Sequence, residues 1–212
     1  LVCKRLAVAR GIPTPRWVAV NPGEAPASIP LSFPVIVKPR YQGSGIGIDE
    51  GAVVREIPAL RRRLQWLFGR WQEPALIEEF VGIGELTVCL IGNDPPTAYP
   101  AIQRPVDPRS RLSYHVLKAG PGAQWEAPLA LTELLETQAR RIALEMFAEL
   151  GCRDMARVDL RVDAQGTVWF LEINPLPSLD PEGSFGLLAE YGGISYEQVI
   201  GRILAAAEQR VG

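Results

Sequence analysis

Four side chains near the C-terminal end have the types and spacing to hold a metal and a phosphate together. Arg157 and Asp159 stand two apart in the run Met155-Ala-Arg-Val-Asp-Leu-Arg-Val162, and Glu172 and Asn174 stand two apart in Thr167-Val-Trp-Phe-Leu-Glu-Ile-Asn174. In a strand, residues two apart leave the same face. Asp163-Ala-Gln-Gly166 lies between the runs, and the pattern predicts a hairpin. With Asp163 opposite Val168, Asp159 falls opposite Glu172 and Arg157 opposite Asn174. A slip of one residue would send the two sets to opposite faces. In the first register two carboxylates lie close enough that one would be forced to hold a proton. A hard divalent cation removes that conflict, because Mg2+ takes oxygen ligands, commonly one or two carboxylates plus substrate phosphates. Arg157 would then hold a phosphate or a developing oxyanion. The residues alone leave a second reading open, a surface hairpin whose polar face is merely solvated.

A second group of residues points to phosphate. Phe33-Pro-Val-Ile-Val-Lys38-Pro39 reads as a buried strand ending in a lysine, which is costly unless it meets an anion. Gly43-Ser44-Gly45-Ile46-Gly47 follows, and its glycines let backbone N–H groups approach a ligand closely. It is not a Walker A loop, because no Gly-Lys-Ser/Thr follows. Lys118 sits in a Lys-Ala-Gly-Pro-Gly stretch that reads as a lid segment. His115 is the single histidine, so imidazole chemistry has one candidate, and a structural or exposed role is expected for it.

The elements that must position these residues follow from periodicity and punctuation. Helices are expected at 1–10, 57–68, 131–150 and 195–209, and strands at 16–20, 33–39, 75–81, 85–91 and 99–102 besides the hairpin. Thr132 is the expected N-cap of the third helix, and Ser195-Tyr-Glu-Gln198 reads as a capping box. Residues 21–32, 105–113 and 178–186 read as loops, and Arg61, Arg62 and Arg63 as a solvated face. Strands and helices do not alternate strictly, so the fold class is α+β rather than doubly wound.

Bulk properties bound the function. The chain has 212 residues, 47% hydrophobic, with a formal net charge of −2, so it carries no basic footprint for nucleic acid. Its three cysteines, Cys3, Cys89 and Cys152, have no metal-type spacing and read as reduced thiols, which suggests a cytoplasmic setting. No apolar run reaches membrane-spanning length. Leu1 opens directly into a helical pattern, so a segment upstream is expected.

Taken in order, Lys38, Gly43-Ser-Gly-Ile-Gly47, Glu78-Glu79-Phe80-Val81, Glu85, Arg157-x-Asp159 and Glu172-x-Asn174 resemble the ATP-grasp fold. Within it the likeness is to the D-alanine–D-alanine ligases and related carboxylate–amine ligases, over nearly the whole chain. The resemblance implies two α+β subdomains with antiparallel sheets clamping the nucleotide, a small one at 1–80 and a large one at 81–212. It implies an ATP- and Mg-dependent ligase that forms an acyl phosphate and passes it to an amine, in peptidoglycan precursor synthesis. The implied nucleotide contacts are Lys38, Gly43, Ser44, Gly45, Glu78, Glu79, Phe80, Val81, Glu85, Lys118 and Phe170. Glu79 and Val81 would read the base through their main chain, and Glu85 would bind the ribose. Asp159, Glu172 and Asn174 would hold two Mg2+ ions, for which Mn2+ can substitute. Arg157 would stabilise the transition state, Ser44 would help position a substrate, and Ser184 would contact the second amino acid. The implied partners are small amino acids, with no nucleic acid and no membrane. A further N-terminal domain is expected upstream, and a homodimer is one assembly left open. The chain departs from the family at Glu79, where a lysine is usual, and over 175–185, where Thr-x-Pro-Gly-Met-Thr is usual. A ligase for another pair of acids and amines, or a regulatory nucleotide-binding module without turnover, are the alternatives.

Overall fold

Alternating burial along two sheets organises the chain. The computed structural model describes residues 1–117 and 124–211, and of His115 the backbone only. The elements are α1 (Val2–Ala9), β1 (Trp17–Val20), β2 (Val35–Pro39), β3 (Val53–Val54), α2 (Ile57–Phe68), β4 (Ala75–Glu79), β5 (Gly84–Ile91), β6 (Thr97–Ala98), β7 (Ile102–Arg104), α3 (Tyr114–Leu117), α4 (Glu133–Glu149), β8 (Met155–Val162), β9 (Val168–Asn174), α5 (Ser184–Gly192) and α6 (Tyr196–Val211). Their mixture is the expected α+β class. No helix among the described residues is long and apolar enough to cross a membrane.

The chain forms two compact units. One comprises Pro15–Gly82 and Pro105–Pro128; the other comprises Leu1–Thr14, Ile83–Arg104 and everything from Leu129 on. The expected division at 80/81 lies close to the crossing at 82/83, but two segments change sides. The first helix belongs with the large unit, because buried Lys4 donates to Thr14 Oγ1 (2.7 Å) and Thr14 Oγ1 donates to the Phe170 carbonyl (2.8 Å). The segment 105–128 belongs with the small unit, where Val106 bridges Ser113 and Glu126.

In the small unit four antiparallel strands run in the order β1-β4-β2-β3. Val35 and Val37 of β2 and Ile77 of β4 pack on Leu60, Leu64 and Leu67 of α2. Arg63 corrects the expected solvated face of that helix. It is 7% exposed, donates to Asp49 (2.8 and 3.1 Å) and to the Gly47 carbonyl (2.7 Å), and stacks on Trp66. A helix residue thereby ties down the end of the glycine-rich loop.

In the large unit the order is β6-β5-β8-β9, with β7 also on β5. One face of this sheet, including Leu86, Val88, Val158, Leu160, Val168 and Phe170, buries against α1 and α4. The opposite face is shared. Cys89, Ile91 and Ile102 pack under α5 and α6, and burial pushes the Cys89 thiol up to about 12. The rest of that face carries Glu85, Thr87, Arg104, Arg157, Asp159 and Arg161, strand neighbours by register.

Two helix caps follow the sequence. Thr132 accepts from the Leu135 N–H (3.3 Å), and Ser195 and Gln198 exchange the two bonds of a capping box (2.9 and 3.2 Å). Two expectations do not hold. In place of the strand expected at 99–102, β6 ends at Ala98 and β7 begins at Ile102. The loop at 178–186 gives way at Ser184 to α5, whose Phe185, Leu188 and Ala189 face the sheet at helical spacing. Pro181 and two glycines hide that start, because such residues read as turn signals.

Candidate functional site

The hairpin β8–β9 brings the four C-terminal residues together, by a route that differs from the simple expectation. The turn closes one residue earlier than expected: the Asp163 N–H donates to the Thr167 carbonyl and Val162 pairs with Val168. Gly166 sits at φ +78°, in the left-handed region a three-residue loop needs. Asp163 Oδ1 accepts from the Gln165 and Thr167 N–H groups (2.9 Å each), and Oδ2 from the Trp169 indole (2.8 Å). Continued unbroken, that register would face Asp159 with Leu171. A bulge intervenes: Leu160 pairs with Phe170 but Asp159 pairs with Glu172, leaving Leu171 without a partner. Arg157 then pairs with Asn174.

Side-chain contacts complete the cluster. Arg157 grips Asp159 through Nε (3.1 Å to each oxygen) and Nη2 (2.8 Å). Burial opposes the charge on Arg157, but Asp159 and Glu172 outweigh it, so its pKa is raised. Asn174 Nδ2 donates to Asp159 Oδ2 and Glu172 Oε1 at 3.3 Å each. Thr87, from the neighbouring strand, donates to Asp159 Oδ1 (3.0 Å). No cluster of three or more His, Cys, Asp or Glu is present among the described residues. The donor set is two carboxylates and one amide, all oxygen-bearing. That matches Mg2+, which leaves its remaining positions to water and phosphate oxygens. One amide nitrogen touching both carboxylates shows that a single small group can serve both. Turning the Asn174 amide over would offer its oxygen in place of the nitrogen.

The other expected residues fall as follows. Lys38 and Glu78 leave one face of the small sheet and form an ion pair at 2.5 Å, with Glu78 almost fully buried. Lys38→Met would remove an ionic partner from that buried carboxylate. It is expected to cost about 3 kcal/mol in urea unfolding, and adding Glu78→Gln should recover most of it. Glu79 receives Arg16 through both carboxylate oxygens and also accepts the Ser32 N–H (2.8 Å). Its pKa is lowered, chiefly by the hydrogen bond from Arg16. Its side chain fastens the stretch between β1 and β2, which accounts for a glutamate at this departure from the family pattern. The Glu79 N–H is spent on the Arg16 carbonyl and the Phe80 N–H on the Pro34 carbonyl, while nothing among the described residues accepts from the Val81 N–H. Glu85 pairs with Arg161 (3.1 Å).

Gly43 and Ser44 are exposed, and the loop is two successive turns, Ile46 N–H to Gly43 and Ile48 N–H to Gly45, both 3.0 Å. Ser44, Gly45 and Gly47 all have positive φ. At Gly47 a Cβ would stand 2.5 Å from the Pro39 ring, so only glycine lets the loop fold onto the residue after Lys38. Phe170 is the clear correction. It is 0% exposed, in the core against α4, on the sheet face opposite Glu172. The bulge at Leu171 is the reason, since it breaks the alternation that would have put both on one face. Ser184 opens α5, is 4% exposed, and receives Arg104 Nη2. Lys118 lies outside the described residues. Reading the sequence passed over Thr87, Arg104 and Arg161. Thr87 had a signal, standing two after Glu85 on one strand, whereas Arg104 is reached only through pairing with a distant strand.

Comparison with known proteins places this geometry. The family profile described as D-ala D-ala ligase C-terminus matches residues 6–205. The D-alanine–D-alanine ligase of Cupriavidus metallidurans is 30% identical over 206 residues, covering 96% of this chain and 62% of that protein. An uncharacterised protein, y4sG, of Sinorhizobium fredii is 31% identical over 222 residues, with 99% and 62% covered. The chain therefore spans about 62% of the length of these relatives. Among solved structures, the Bacillus anthracis D-alanine–D-alanine ligase complexed with ATP superposes with a TM-score of 0.73 at 21% identity, over 98% of this chain and 63% of that one. The Coxiella burnetii ligase gives 0.75 at 21%, over 99% and 56%. These likenesses establish the ATP-grasp fold, and with the profile match the chain belongs to the D-alanine–D-alanine ligase C-terminal family.

Proposed function

We propose that this chain is the nucleotide- and metal-binding part of an ATP-dependent carboxylate–amine ligase, most closely of the D-alanine–D-alanine type, serving peptidoglycan precursor synthesis. The observation that carries the reading is the pairing of Asp159 with Glu172, with Asn174 reaching both and Arg157 bound to Asp159. In this reading Asp159, Glu172 and Asn174 hold Mg2+. The bound ions supply charge neutralisation for the phosphates of ATP. Arg157 faces the negative charge that develops as the γ-phosphate passes to a substrate carboxylate. The bond from that phosphorus to the β–γ bridging oxygen breaks and ADP leaves. The acyl phosphate so formed is captured by an amine, and inorganic phosphate leaves as the C–N bond forms. Positioning and electrostatics account for such a reaction without a protein nucleophile.

In the small unit, Lys38 and the loop at Gly43, Ser44 and Gly45 are assigned to the phosphates, and Ser44 also to substrate positioning. Glu78, the main chain of Glu79, Phe80 and the free N–H of Val81 form the adenine hinge; Glu85 is assigned to the ribose. Lys118 is assigned a further phosphate contact, and Ser184 the second amino acid. An N-terminal domain, a homodimer and a cytoplasmic location belong to the same proposal.

The test is phosphate release by the full-length protein with Mg·ATP and D-alanine, then with other amino acids singly and in pairs. Release that depends on D-alanine is the expected result. Release with a different pair would assign another ligase substrate. Tight nucleotide binding with no amino-acid-dependent release would reduce the chain to a regulatory module.

A further inference from the structure

Arg63 stands where an apolar residue would fit. On α2 it is buried beside Leu60, Leu64 and Leu67, the stripe that packs on the small sheet. A guanidinium in such a place is costly unless its N–H groups find acceptors. Those of Arg63 are engaged by the end of the glycine-rich loop: Nη1 donates to both Asp49 oxygens and Nη2 to the Gly47 carbonyl. Its Nε is buried without an acceptor among the described residues, a cost the helix alone gives no reason to bear. Trp66 backs the guanidinium at 4.1 Å, and Asp49 also accepts the Gly51 N–H (2.8 Å). The start of the loop is held from a second point, where Glu73 accepts the Tyr41 N–H (3.1 Å) and the Gln42 side-chain amide (3.0 Å). Between the two anchors, the N–H groups of Gly43, Ser44, Gly45 and Gly47 have no acceptor among the described residues. Positive φ at Ser44, Gly45 and Gly47 is the backbone form from which anion-binding nests are built.

We infer that Arg63 is a positioning residue for phosphate binding: without touching the ligand, it holds those four N–H groups in place through Gly47 and Asp49. Burial and the neutralising carboxylate of Asp49 keep the guanidinium from serving as an anion contact itself. One arm of the fork goes to a carboxylate and the other to a carbonyl. A lysine, with one nitrogen, keeps the charge without the planar fork. The same corner is closed by aromatic packing. A Cβ on Gly47 would stand 3.3 Å from the Trp71 ring, and Trp71 meets Trp66 edge to face at 5.7 Å. Arg63, two indoles and the last glycine of the loop thus form one packed group. The inference rests on the nucleotide reading above for the identity of the ligand.

The experiment is calorimetric titration of the full-length protein with Mg·ADP and, separately, with adenosine, for the wild type, Arg63→Met and Arg63→Lys. Adenosine carries the base and ribose but no phosphate, so it reads the hinge of the same unit without the loop. The affinity of Arg63→Met for Mg·ADP is expected to fall about 10-fold, with adenosine affinity unchanged. Arg63→Lys should lie between, because the charge remains and the fork does not. An unchanged ratio of the two affinities in Arg63→Met would overturn the inference. That holds whether both stay at wild-type values or both fall together, the second marking a small unit loosened as a whole. Should Arg63→Met not fold, Asp49→Ala decides, since the Asp49 side chain is half exposed. The same selective loss is expected there in smaller measure, and an unchanged ratio would again overturn the inference. The two ideas fail differently. A wild type that does not bind Mg·ADP removes the nucleotide reading and this inference with it. A wild type that binds Mg·ADP more tightly than adenosine, with the same ratio in the variants, keeps the nucleotide reading and removes only the role of Arg63.

Discussion

Glu172→Gln is expected to abolish Mg-dependent turnover, by on the order of 10²–10³-fold, while leaving the fold intact. The two halves of that expectation have separate causes. Glu172 is exposed, and among the described residues its side chain accepts one hydrogen bond, from Asn174 at 3.3 Å, which a glutamine oxygen can still accept. The change in unfolding free energy should stay within about 0.5 kcal/mol, as for other surface substitutions. What disappears is one of two negative charges facing a shared position. Titration with Mg·ADP in a calorimeter, alongside phosphate release, reads the loss directly. Unchanged nucleotide affinity and an unchanged rate would remove Glu172 from the metal set. Asp159→Asn is the poorer probe, because Asp159 also holds Arg157, Thr87 and Asn174.

Gly186→Ala is expected to destabilise the protein more than a glycine-to-alanine change in a helix normally does. Such a change in an open helix interior is favourable by up to about 1 kcal/mol. Here the added Cβ would stand 1.6 Å from the carbonyl oxygen of Pro181, a backbone atom with no side-chain freedom to yield. Either the turn at 181–183 moves or the first turn of α5 does. In both cases Phe185, fully buried, and Ser184 are displaced. A loss of about 2–3 kcal/mol follows, which lowers the melting temperature by roughly 5–10 °C for a chain of this size. Gly201 is the internal control: it lies in α6 with nothing within 4 Å of a Cβ, so Gly201→Ala should stabilise slightly. A Gly186→Ala variant as stable as Gly201→Ala would show that the 175–185 segment is not held as described.

The parts of the fold written locally were legible in the sequence. The helices α1, α2, α4 and α6 announce themselves through apolar spacing and their ends, and the strands β2, β4, β5, β8 and β9 through apolar runs with turn residues between them. The composition of the cluster of Arg157, Asp159, Glu172 and Asn174 was equally plain, since it needs only residues two apart on adjacent strands. The remainder depends on partners far along the chain. That Lys38 is neutralised by Glu78 requires β2 to lie beside β4. The burial of Arg63 requires the loop after Pro39 to return to α2. Arg104 meets Ser184 only once β7 lies against β5 and the segment after Asn174 curls back as α5. Where charged or polar residues meet across such distances, periodicity reports an exposed face and pairing decides otherwise.

The unpaired residue in β9 carries a further consequence. Residues on the turn side of Leu171 and those on its other side count their partners with an offset of one, so Leu171 absorbs an odd number. Deleting Leu171 would make the count uniform and still leave Glu172 across from Asp159 and Asn174 across from Arg157. Removing Ile173 instead would swing Asn174 away from Glu172, because neighbours along a strand alternate sides. This edge of the sheet thus has slack at one position and none two steps later, an asymmetry that single-residue deletions can reveal.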